Sequence, residues 1–182
     1  MKILNTEING LMVIEPKIFE DDRGFFFESY QKNRYEDFGI TSNFVQDNIS
    51  YSKKNTLRGL HFQIDNPQAK LVQVISGEIY DVALDLRVNS PHFGEWFGVV
   101  LSGSNKKQLF IPEGFAHGFC VTSDTATFSY KCSDIYNPTD EGGIIWSDPE
   151  ININWPVTNP VLSQKDNIYK QLSQLESHEL PK

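Results

Sequence analysis

No stretch of this 182-residue chain approaches the roughly 20 consecutive apolar residues that a membrane-spanning helix needs. Its first residues, Met1 to Glu7, carry neither the apolar core nor the small-residue cleavage site of a secretory leader, so a cytoplasmic protein is expected. Cysteine is scarce. The two present, Cys120 and Cys132, have no zinc-type spacing and read as buried free thiols. Basic residues are in deficit, 16 against 24 acidic, for a net charge of −8. That balance excludes a general nucleic-acid binder, which needs a basic footprint to displace counterions. A small anionic ligand remains open, because a few clustered cations suffice for it. Internal repeats, low-complexity tracts and linkers are also missing, so one domain over residues 1–182 is expected, with 175–182 as a flexible tail.

What is there is mostly short β-type runs punctuated by turns. Asn43 to Gln46, Lys70 to Ile75, Glu78 to Leu86, Trp96 to Leu101, Lys107 to Ile111, Phe119 to Thr122 and Thr127 to Cys132 are rich in β-branched and aromatic residues. Ser76-Gly77, Asn89-Ser90-Pro91, Ser102 to Asn105 and Pro112-Glu113-Gly114 separate them as turn signals. The pattern predicts an all-β antiparallel sandwich or barrel with a few short peripheral helices. Two helices are expected. One covers Gln31 to Phe38 and stops at Gly39; the other opens at Ser163, with Asp166 three residues on as a capping partner.

Of the four histidines, His178 lies in the polar tail and His92 in a turn, and both read as solvated. His61 and His117 sit in apolar, aromatic surroundings, where a structural role competes with a catalytic one. Arg58 and Lys70 flank His61 and could form a cationic site or pair with surface carboxylates to little effect. In Asp21 to Glu28, strand alternation places Phe26 on one face and Phe25 and Phe27 on the other. Phe26 then suits an interface or a stacked base, and Arg23 a phosphate. Pro112 to His117 resembles half of the metal pattern of cupin barrels. The other half requires a His-x-His pair, and here His61-Phe62-Gln63 breaks it, so no metal is expected.

Taken together, Asp22 to Phe26, Phe44 to Asn48, Leu57 to Gln63, Lys70-Leu71-Val72, Ile111 to Phe119, Tyr130-Lys131-Cys132 and Trp146 to Pro149 resemble the dTDP-4-dehydrorhamnose 3,5-epimerase family. The resemblance implies a cupin-type jelly roll. It also implies cofactor-independent epimerisation at C3 and C5 of dTDP-4-dehydro-6-deoxy-D-glucose, a dTDP-4-keto-6-deoxy sugar nucleotide. By the same likeness His61 is the general base, Asp166 its carboxylate partner, Tyr130 the general acid, and Lys70 the cation at the keto oxygen. Arg23, Phe26, Glu28, Gln46, Asp47, Asn48, Arg58, His117, Glu141 and Lys165 match nucleotide-sugar contacts. A homodimer with exchanged strands is implied, in which Arg23 and Phe26 serve the neighbour's site. The alternatives are a mono-epimerase of a related ketosugar, a metal-dependent cupin, and a non-enzymatic sugar-nucleotide-binding barrel.

Overall fold

Alternation of side chains along short strands builds two layers. The computed structural model describes residues 1–182. In chain order it contains β1 (Lys2–Asn5), β2 (Met12–Glu15), β3 (Ile18–Asp21), β4 (Gly24–Phe27), α1 (Lys32–Glu36), β5 (Gln46–Lys53), β6 (Leu57–Gln63) and β7 (Lys70–Ser76). There follow β8 (Glu78–Asp85), β9 (Trp96–Ser102), β10 (Gln108–Ile111), β11 (Phe115–Val121), β12 (Thr125–Cys132) and β13 (Glu141–Gly143). Single 3-10 turns at Lys165–Asn167, Leu172–Gln174 and Ser177–Glu179 finish the chain.

One sheet has the order β1-β2-β10-β7-β12-β5, the other β13-β6-β11-β8-β9, and β3-β4 stands apart as a hairpin. The ladders are antiparallel, as in β12 against β5 and β11 against β8. Val13, Val72 and Leu109 from the first sheet meet Ile79, Ala83 and Phe119 from the second in the largest core cluster. Burying such side chains contributes about 1.5–3 kcal/mol each. The all-β sandwich read from the sequence is the architecture found.

Some boundaries differ. β5 runs to Lys53, well beyond the expected Asn43 to Gln46, because its inward residues are Gln46, Asn48, Ser50 and Ser52 rather than apolar ones. The first three line a cavity and Ser52 accepts from Arg58, so the hydrophobic alternation that marks a strand is absent. The first helix is shorter than expected. Gln31 accepts a hydrogen bond from the Arg34 N–H at 2.6 Å, and the chain turns away at Gly39, whose φ of 87° suits glycine. At the other end the tail is packed where fraying was expected. Leu180 is buried, the Lys182 N–H donates to the Ile64 carbonyl at 2.9 Å, and the Lys182 ammonium pairs with Asp65.

Candidate active site

Between the two sheets opens a cavity of about 330 Å³, within the usual range for a small-molecule site. The six-stranded sheet contributes Gln46 and Asn48 from β5, Lys70 from β7 and Tyr130 from β12. Facing them, the five-stranded sheet contributes Arg58 and His61 from β6 and His117 from β11. Asp166 and Lys165 enter from the 3-10 turn, and Glu141 from β13.

A bulge makes this wall possible. Arg58 and His61 are three residues apart, which in a regular strand sends them to opposite faces. Their partners on β11 are Phe119 and His117, only two apart, so β6 carries one extra residue. The extra length falls at Gly59, whose φ is 131° and where a Cβ would lie 2.5 Å from Gly118 Cα. Glycine is required there, and both side chains reach the cavity.

His61 Nε2 lies 2.6 Å from Asp166 Oδ1. Asp166 is almost fully buried, which opposes its charge. The hydrogen bond and charge of His61, the Ser163 hydroxyl and Lys165 outweigh that cost and hold the carboxyl below the usual carboxylate range. An ionised Asp166 accepts, so Nε2 carries the proton and Nδ1 keeps the free lone pair. Ser163 donates to Asp166 Oδ2 at 2.8 Å and accepts from the Asp166 N–H at 3.2 Å. The capping contact and the histidine contact therefore use the same carboxylate. Tyr169 stands edge-on to the His61 ring with centroids 5.8 Å apart. Gly143 makes room for it, since a Cβ there would come within 2.4 Å of the phenol ring.

Burial pushes the Tyr130 hydroxyl above the ordinary phenol range, reinforced by Cys132 and Glu141, so it stays protonated. Lys70 moves the other way. Burial lowers it, against the pull of Cys132, Asp81 and Glu141. His117 is turned by Asp81, which is fully buried and whose two carboxylate oxygens lie 3.1 and 3.0 Å from Nε2. Asp85, four residues further along β8, is also fully buried and pairs with Arg87 at 2.6 Å.

Gln63 is occupied by the backbone. It donates to the Asn66 carbonyl at 2.8 Å and accepts from the Asn137 N–H at 2.6 Å. No group of three or more His, Cys, Asp or Glu side chains is arranged to hold a metal ion.

Four expected contact residues lie outside the cavity. Asp47 points to the opposite face of β5 from Gln46 and Asn48, by strand alternation, and pairs with Lys131 at 2.8 Å. Arg23 is exposed and pairs with Asp21; Glu28 pairs with Arg34 at 2.9 Å; Phe26 is 69% exposed. All three belong to the protruding hairpin or the segment after it.

Conversely, Tyr136 and Ser50 line the cavity although the sequence did not single them out. Tyr136 donates its hydroxyl to Glu141 Oε2 at 3.1 Å and its N–H to Gln46 Oε1 at 2.9 Å. Asp81 and Tyr169 were missed for another reason, since they act on the site through His117 and His61. Ser163 was expected only as a cap for Asp166, and no local pattern marks the other four.

The family model for dTDP-4-dehydrorhamnose 3,5-epimerase matches residues 5–174. A protein of that name from Shigella flexneri is 54% identical over 168 residues, covering 91% of this chain and 93% of its own. A crystal structure of dTDP-6-deoxy-D-glucose-3,5-epimerase from Legionella pneumophila, in complex with dTDP-4-keto-L-rhamnose, superposes with a TM-score of 0.96. It is 53% identical and covers 100% of this chain and 97% of its own. The dTDP-4-dehydrorhamnose 3,5-epimerase of Bacillus anthracis, with TDP and pyrophosphate bound, gives a TM-score of 0.92 at 48% identity, covering 94% and 99%. The sandwich is thus the cupin-type jelly roll of these proteins.

Proposed function

The chain belongs to the dTDP-4-dehydrorhamnose 3,5-epimerase family and epimerises a dTDP-4-keto-6-deoxy sugar in dTDP-rhamnose synthesis; we propose that His61, Asp166, Tyr130 and Lys70 carry the chemistry. One observation carries the residue assignment. A carboxylate-oriented imidazole stands on one wall of the cavity and a protonated phenol on the other.

The C4 ketone acidifies the protons at C3 and C5. With Nε2–H held by Asp166, the free Nδ1 of His61 removes such a proton, and Asp166 stabilises the imidazolium that forms. Negative charge moves onto O4, where the buried Lys70 ammonium meets it without reorganisation. Tyr130, on the opposite sheet, returns a proton to the other face of the ring. His61 then gives its proton to solvent and Tyr130 regains one from it, so that repetition at the second carbon completes the double inversion.

Arg58, His117, Gln46, Asn48, Glu141 and Lys165 are proposed to bind the nucleotide sugar, as their place in the cavity supports. Arg23, Phe26 and Glu28 are proposed to act in a partner's site within a homodimer. The exposed aromatics Phe19, Phe25 and Phe26 on the β3–β4 hairpin support that reading. A cytoplasmic location fits two buried free thiols, and no helix is long and apolar enough to cross a membrane.

The test is incubation with dTDP-4-dehydro-6-deoxy-D-glucose in D₂O, followed by NMR. Deuterium should enter at both C3 and C5; entry at one carbon alone would identify a mono-epimerase instead. His61→Ala should lower turnover roughly 10²- to 10⁴-fold, the scale of a positioned acid–base group. Near-normal exchange in that variant would reject His61 as the base.

A further inference from the structure

We propose that Ser50 is a specificity-determining residue whose hydroxyl hydrogen-bonds an oxygen of the hexose. Among buried side-chain polar atoms, Ser50 Oγ alone has no hydrogen-bond partner, and it lines the cavity. The rest of its row is engaged. Gln46 donates to Asn48 at 3.0 Å, Asn48 contacts Cys132 Sγ at 3.7 Å, and Ser52 accepts from Arg58 Nε at 3.1 Å. A buried hydroxyl left unpaired is unfavourable, and a bound oxygen atom relieves it.

Register decides which part of the ligand is in reach. Asn48 is the partner of Tyr130 on β12, and Ser50 that of Phe128. Ser50 therefore lies two residues along β5 from the level of the acid, about 6.5–7 Å, which is on the scale of one pyranose ring. Phe128 stacks on His117 with centroids 6.0 Å apart and meets Phe119 at a tilt with centroids 4.5 Å apart, so the surroundings are largely aromatic. In that stretch of the six-stranded wall, Ser50 supplies the polar atom that remains free to pair. A hydroxyl both donates and accepts, which suits a sugar oxygen in either role.

This inference rests on reading the cavity as the ketosugar site, and wild-type turnover of the dTDP-ketosugar tests that separately. With wild type active, Ser50→Ala and the near-isosteric Ser50→Cys should lower kcat/KM for the ketosugar roughly tenfold. Inhibition by dTDP, which has no hexose, should not change. The thermal midpoint should not fall, since no protein contact is lost. Unchanged kcat/KM would overturn the proposal. Weakened dTDP inhibition in proportion would also overturn it, placing the contact on the nucleotide. A lower midpoint or failure to fold in both variants would show the hydroxyl to be structural.

Discussion

At the scale of single residues, the site separates charge from solvent in two opposite ways. Asp166 is kept ionised by its partners; Lys70 is weakened as a cation by burial. A folded-state pKa below the unfolded one stabilises a carboxylate protein above the unfolded pKa, and that contribution disappears as pH falls through the folded value. For lysine the same direction of shift is a penalty. It is full below the folded pKa and fades as pH rises toward the ordinary lysine value of about 10.4. We therefore predict that Lys70→Met raises the thermal midpoint at neutral pH while removing turnover. The gain should shrink in alkaline buffer. A variant less stable than wild type at pH 7 would contradict the assignment of Lys70 as a stability cost held for catalysis.

Tyr130 belongs to the same scale. Its phenol is held protonated, so its removal should impair proton return more than proton removal. Tyr130→Phe is predicted to exchange deuterium into substrate while forming little inverted product. Full product formation would count against an acid role. Why His61 is better placed than His117 to act as base also becomes plain here. The His61 side chain keeps 24% of its surface exposed, whereas that of His117 keeps 8%, stacked on Phe128 and held by the fully buried Asp81.

At the scale of elements, the loop between β6 and β7 sets where Lys70 stands. Gln63 grips the Asn66 carbonyl and the Asn137 N–H, and Asp140 accepts from the Asp65 and Asn66 N–H groups at 2.8 and 2.9 Å. The residue that breaks the His-x-His pattern is thus a bracket between two loops. Gln63→Ala leaves both backbone groups short of a partner. We predict a loss of about 1–3 kcal/mol, visible as a midpoint lowered by roughly 2–4 °C per kcal/mol for a chain of this size. No change in midpoint would mean that water replaces the amide at no cost.

At the scale of the molecule, the β3–β4 hairpin has no sheet to join and leaves three phenylalanines exposed. Ile49 and Tyr51, on the outer face of the edge strand β5, are exposed as well. An apolar surface of this kind supports the proposed homodimer. Phe26→Asp is predicted to shift light-scattering mass toward the monomer and to reduce activity. A fully active dimer carrying that substitution would remove the hairpin from the neighbour's site.

Tyr130 and the catalytic role of Asp166 came from the family resemblance, whereas the amino-acid order by itself determined the β architecture, the short helix stopped by Gly39, and the candidates His61 and Lys70. Such features are legible because side-chain alternation, turn residues and unusual polar groups in apolar runs are local properties. β5 escaped that logic, since a strand lining a polar cavity lacks the apolar alternation that reveals one. Strand parity could have separated Asp47 from Gln46 and Asn48, once β5 was known to extend through them. Only the tertiary structure brought Asp166 to His61, Asp81 to His117, and Tyr130 to the wall opposite the base. Those meetings depend on how two sheets pack and on one extra residue in β6, and no local pattern in the chain encodes the distance between them.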